Sequence, residues 1–193
     1  MGSMGKLEDF IDNIEKKEGN TGFDAEGVIR LFRQRVEDFY CRVEQDWLKS
    51  LIDSGKIHCT REGIAVTEES LGTYPMDEMV IKFFRFTIRL TPIGTILIGS
   101  PGRIDMTFEG KSRMLVLVDR RITCAAEQIV IRERFVDGQQ ADDEEEQAEV
   151  EEKPKPEYVW KYIDDPREYT YAVLDKESFQ NLIVELVNGK ELF

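Results

Sequence analysis

Histidine is nearly absent from these 193 residues: His58 is the single one, and it is accompanied by only three cysteines, Cys41, Cys59 and Cys124. One imidazole leaves a serine or cysteine nucleophile a single candidate base, and no thiol is spaced to meet it. His58 and Cys59 are neighbours, so on a strand they face opposite sides, and no C-x-x-C or H-x-E partner is present to complete four ligands. No zinc-type site and no cofactor is therefore expected. Three cysteines at wide, unrelated spacings do not make a disulfide framework, which points to a reducing compartment and hence a cytoplasmic protein. Long apolar runs are also missing. The longest pure stretch, Met114 to Val118, falls far short of the roughly 20 residues that cross a bilayer, so no membrane partner is expected.

What the chain has in excess is acid, with a formal net charge of −13. The distribution matters more than the total. Residues 137–157 hold ten acids against two lysines, a net of −8, which leaves the rest of the chain at only −5. A polyanionic mimic of nucleic acid would spread its charge over the fold, and this chain concentrates it. The run from Ala141 to Glu149 has no aromatic residue and no periodic apolar face, so burial cannot offset its ordering entropy. It is expected to be a disordered insertion between two neighbouring strands, ended by the stiff Lys153-Pro154-Lys155-Pro156. Residues 1–4 read as a cloning remnant, and residues 5–193 as a single domain carrying this insertion at 137–157.

Periodicity outlines the fold. Leu7, Phe10, Ile11 and Ile14 recur at helical spacing, giving a short N-terminal helix that stops at Gly19. From an N-cap at Asp24, apolar residues from Val28 to Ile52 keep the same period up to Gly55, predicting one long helix. The period then changes to two. Residues 57–59 and 64–66 read as a small hairpin, 81–90 as a strand ended by Pro92, and 104–108 with 114–118 as a hairpin turning at Glu109-Gly110. Gly99-Ser100-Pro101-Gly102 is a turn by composition, with no helix after it to cradle a phosphate. Residues 122–124 and 129–135 read as further strand. Beyond the insertion, Tyr158 to Ile163 and Tyr169 to Leu174 are aromatic-rich strands, and Asp175 caps a final helix that ends at Gly189. The fold class is α+β: an antiparallel meander sheet packed by a long N-terminal helix, with a short N-terminal helix and a C-terminal helix.

Three constellations could carry function. Asp105 and, after the turn, Asp119 with Arg121 resemble the D-x(n)-[DE]-x-K pattern of the PD-(D/E)xK nuclease family, in which two acids hold Mg²⁺ and a lysine positions water. The resemblance implies Asp105 and Asp119 as metal acids. Arg121 stands where the lysine belongs, and a guanidinium cannot serve as a base. Phe83, Phe84 and Phe86 interleaved with Lys82, Arg85 and Arg89 could stack bases, but the same residues make an ordinary strand buried on one face, and the acidic body disfavours nucleic acid. The acidic run, with Asp142, Asp143, Glu144, Glu145, Glu146 and Glu149, could engage a basic partner or fold back on Arg103, Arg113, Arg120 and Arg121.

The leading expectation is a non-catalytic intracellular binding or accessory protein that meets a protein partner through its sheet or its acidic run. Self-association is open to it through a strand edge or the long helix. One alternative is the divergent nuclease. The other is a cone-shaped α+β domain in which Tyr158, Trp160, Tyr169 and Tyr171 line a small-molecule pocket.

Overall fold

The computed structural model describes residues 24–95, 100–127, 156–165 and 167–189. The short N-terminal helix, the strand expected at 129–135, the apolar stretch 96–98 and the acidic residues Asp142, Asp143, Glu144, Glu145, Glu146 and Glu149 lie outside them. Helix α1 (Ala25–Arg42) starts where the sequence places it, the Asp24 carboxylate accepting the Gly27 amide at 2.8 Å. It buries Phe32, Val36, Phe39 and Tyr40, spaced four, three and one apart.

The single long helix is corrected here to three pieces. After α1 the chain widens into a π-helical segment, Val43–Trp47, in which the Leu48 amide reaches back to the Val43 carbonyl at 2.8 Å. Leu48 then leaves helical geometry at φ −111°, and α2 (Lys49–Asp53) follows, ending at Gly55 with φ +70°. The apolar residues kept their helical spacing because the wider turn still brings both Val43 and Trp47 to the core.

Seven antiparallel strands follow in chain order as one open sheet: β1 (His58–Glu68), β2 (Gly72–Phe83), β3 (Phe86–Gly94), β4 (Arg103–Phe108), β5 (Lys111–Asp119), β6 (Tyr158–Asp165) and β7 (Thr170–Val173). The hairpin expected within 57–66 is instead one continuous strand, β1, paired along its length with β2 from His58 opposite Lys82 to Glu68 opposite Gly72. Its inward residues are Cys59 and Arg61 and then Ile64 and Val66, a change of parity that interrupts the alternation at Gly63. The strand expected over 81–90 is two strands joined at Phe84-Arg85, and Phe84 takes φ +49° with its ring wholly in solvent. Pro92 does not end β3. Past Leu90, β2 no longer pairs with β3, so a residue without an N–H is tolerated there, and a bulge lies between Pro92 and Gly94.

The β4–β5 hairpin turns at Glu109 and Gly110, both with positive φ as a two-residue loop of type I′ requires. Helix α3 (Lys176–Asn188) closes the chain. Asp175 and Ser178 form a reciprocal cap at its start, and Gly189 adopts φ +71° at its end.

The main core cluster lies on one face of the sheet, while Val80, Val116 and Val118 are buried on the other. Ile81, Ile88, Leu90, Ile104, Met106 and Leu115 form one buried cluster with Phe32, Phe39, Tyr40 and Val43 of the first helical region and Phe179, Leu182 and Leu186 of α3. The Tyr40 hydroxyl donates to the Leu90 carbonyl at 2.6 Å, and the Arg61 guanidinium stacks 4.4 Å over the Tyr40 ring while pairing with Glu44 and Glu37. Gly102 lies under the Phe32 ring so closely that a Cβ there would meet it at 2.7 Å. None of the described helices is long and apolar enough to cross a membrane.

β5 and β6 pair directly, Asp119 opposite Tyr158, so the whole connection 120–157 joins neighbouring strands. Its first residues are tied to the sheet. The buried Lys161 ammonium donates to the carbonyls of Arg120 at 2.9 Å and Ile122 at 2.6 Å, and Cys124 bridges to Thr170 at the edge of β7. What was read as strand at 122–124 is thus a single bridge, which covers the β7 edge.

Candidate functional site

A cleft of about 610 Å³ opens where α1 and the π-helical segment meet the adjoining ends of β5, β6 and β7. Alternation along β6 sends Tyr158 and Trp160 to the helix side. The spacing of α1 sends Arg35, Asp38, Phe39 and Arg42 toward them, and the widened turn adds Asp46 and Trp47. The aromatic floor is packed: Phe39 lies 5.3 Å from Trp160 and 5.8 Å from Trp47, and Trp47 lies 5.2 Å from Phe179 of the core. Such ring contacts contribute about 0.5–1.5 kcal/mol each beyond their burial, so the floor is held before any ligand arrives.

The rim is charged, and its charges are not equivalent. Arg120 pairs with Glu157 at 2.8 Å. Asp46 lies 3.8 Å from Lys176, and Asp175 is occupied as the cap of α3. Arg35 stacks 4.5 Å over the Tyr158 ring, and among the described residues neither Arg35 nor Arg42 has a carboxylate within ion-pair distance. Burial pulls Arg35 below the ordinary guanidinium value, and only the Tyr158 phenol opposes it. Asp38, on the same helix face, is likewise without a cationic partner among the described residues.

The nuclease-like residues are not brought together. Asp105 lies opposite Met114 in the register, five residues along β5 from Asp119, or about 17 Å at ~3.4 Å per residue. Five is an odd number, so strand alternation puts Asp105 and Asp119 on opposite faces. Each carboxylate is already engaged with its own neighbour. Arg103 chelates Asp105 at 2.6 and 2.8 Å, while Asp119 accepts the Arg121 amide at 3.0 Å and its guanidinium at 2.9 and 2.6 Å. The Arg121 contact holds the Asp119 carboxyl below the usual carboxylate range against its burial. These residues turn the chain out of β5. Among the described residues, no three His, Cys, Asp or Glu side chains gather as a metal ion requires.

The other candidates are also dispersed. Tyr158 and Trp160 share the cleft, but Tyr169 sits on the β6–β7 turn at the far end of the sheet, and Tyr171 pairs with Ile163 on the face away from Trp160. Phe83 and Phe86 stack on each other at 5.4 Å, and Phe86 on Phe108 at 5.7 Å, at the margin of the core, which leaves only Phe84 exposed. Of the arginines offered to the acidic run, Arg103, Arg120 and Arg121 are paired with Asp105, Glu157 and Asp119. His58 is exposed, the three cysteines are free thiols, and burial pushes Cys59 up to about 11.

Comparison with known protein families, curated proteins and solved structures finds no match. The site is therefore read from its own chemistry. Sequence reasoning passed over Arg35, Asp38 and Arg42. The available signal was the seven-residue spacing of the two arginines around Phe39, which places cations along an aromatic position of the helix.

Proposed function

We propose that the protein is a non-catalytic binding protein that receives a segment of a partner protein in the cleft between α1 and the ends of β5 to β7. The observation that carries this reading is the arrangement of the cleft: packed rings of Phe39, Trp47 and Trp160 in the centre, with Tyr158, arginines and carboxylates around them. Protein interfaces have this anatomy, with aromatic and arginine residues enriched at the centre and a polar rim excluding water. A cleft of about 610 Å³ has room for anchoring side chains of a partner. The acidic run Asp142 to Glu149 belongs to the connection that ends at rim residue Glu157, and it serves as a second, electrostatic contact with the same partner. The three free thiols fit a cytoplasmic setting.

A photoreactive benzoylphenylalanine placed at Arg42, and separately at Glu109 on the far β4–β5 turn, tests this in cells. A discrete protein crosslink from position 42 and none from position 109 is expected. No crosslink from 42, or the same products from both positions, would overturn it.

A further inference from the structure

Resting on that reading of the cleft, we infer that the segment seated there presents a bulky apolar or aromatic side chain directly beside a single carboxylate. Donors and acceptors at the site do not balance. Among the described residues, the Arg35 and Arg42 guanidinium groups have no carboxylate partner, and the indole N–H groups of Trp47 and Trp160 have no acceptor. The rim carboxylates are largely spent, Glu157 on Arg120 and Asp175 on the Ser178 amide and hydroxyl, with Asp46 shared loosely with Lys176. Only Asp38 is unmatched. Donors therefore exceed acceptors in a cleft whose centre is apolar, and a ligand that supplies acceptors there gains charge-assisted hydrogen bonds in a partly desolvated place.

Arg35 strengthens the case. It is half-buried against Tyr158 with no carboxylate to offset the loss of water, so an incoming carboxylate would restore what burial removed. The number of charges is limited from the other side. Asp46 and Glu157 are balanced by Lys176 and Arg120, and Asp38 lies between the two arginines on α1, so the unpaired groups leave a surplus of one positive charge, which a dianionic phosphate or a polyphosphate backbone would exceed. One carboxylate satisfies the arginines without that excess. The aromatic floor supplies the rest, since offset or edge-on ring packing accepts another ring or a large aliphatic side chain.

The experiment uses the full chain, isotope-labelled, with three five-residue peptides capped at both ends: Ser-Glu-Trp-Ser-Ser, Ser-Gln-Trp-Ser-Ser and Ser-Lys-Trp-Ser-Ser. Titrations follow the indole N–H resonances of Trp47 and Trp160. The glutamate peptide is expected to shift both resonances and to bind about tenfold more tightly than the lysine peptide, with the glutamine peptide between them. Arg42→Ser should narrow the gap in affinity between the glutamate and glutamine peptides. Equal affinity for all three peptides, tightest binding by the lysine peptide, or shifts confined to residues outside the cleft would each overturn the inference. The two readings fail separately: a crosslink at position 42 with no preference for glutamate removes the carboxylate and keeps the cleft, whereas loss of that crosslink removes the cleft itself.

Discussion

Two sets of arginines divide this molecule. On the open sheet and its borders Arg61, Arg89, Arg103 and Arg121 are spent. Arg89 holds Glu62 at 2.9 Å and also the buried Glu78, which accepts a further bond from Thr91 at 2.9 Å, and Arg103 and Arg121 grip the aspartates two positions before or after them in sequence. At the cleft, Arg35 and Arg42 stand beside aromatic rings with no carboxylate partner among the described residues. The first set closes local accounts of charge and hydrogen bonding. The second leaves one open in a concave, apolar place. Residue type does not separate the two sets, because an arginine is a binding element only where the fold has not already supplied its acid.

The comparison can be broken first at Arg89. Replacing it by Met leaves the Glu78 carboxylate, only 7% exposed, without its cation, and about 2–3 kcal/mol of stability should be lost in urea unfolding. No loss there would mean that the spent set contributes nothing and that the division is empty. Next, Asp119→Asn removes the acceptor of the Arg121 contacts at the exit of β5 and should cost about 1–2 kcal/mol. Because Asp119 is held below the ordinary carboxylate value in the folded chain, its contribution is present above that value and is lost as pH falls. The gap between the parent and Asp119→Asn should thus be full at about pH 6 and narrow below about pH 4. A gap that persisted at about pH 3 would count against the assignment.

Asp105→Asn, which weakens a two-point contact with Arg103 on the partly exposed face, should cost about 1 kcal/mol by the same measurement. The smallest change in stability belongs to the open set. Arg42→Ser, at an exposed helix position with no ion pair among the described residues, should move the unfolding free energy by less than about 0.5 kcal/mol while altering peptide recognition. A large loss of stability from Arg42→Ser would return Arg42 to the structural set.

How much of this could be read in advance varied by element. The β4–β5 hairpin and α3 were legible because their signals are local: strict alternation around Glu109-Gly110, and an Asp cap with a glycine stop around one apolar stripe. The β1–β2 hairpin was not. Its buried positions change parity near Gly63, so a strand eleven residues long presents two short alternating runs and imitates a hairpin of its own. The turn at Phe84-Arg85 carries none of the usual turn residues, and Phe84 accepts a left-handed backbone that its neighbours did not announce. The cleft was half visible. Tyr158 and Trp160 stood out by alternation on β6, but the one mark of the α1 side, the spacing of Arg35 and Arg42 around Phe39, fits the solvated face of a helix equally well.

The sequence alone determined the class of the fold, the start of α1 and both ends of α3, the concentration of charge in residues 137–157 and the shortage of imidazole, because each of these depends on residue type and on spacing within a few turns or strand positions. Only the tertiary structure decided the rest. Whether Asp105 and Asp119 meet is a matter of strand parity and register, and these put them on opposite faces. Which arginines remain open depends on residues far away in the chain: the ends of β5, β6 and β7 bring Leu117, Tyr158, Trp160 and Val173 to α1 without placing a carboxylate of the described residues within ion-pair distance of Arg35 or Arg42. Long-range pairing of that kind is set by how the sheet and helices pack, and no local pattern in the chain encodes it.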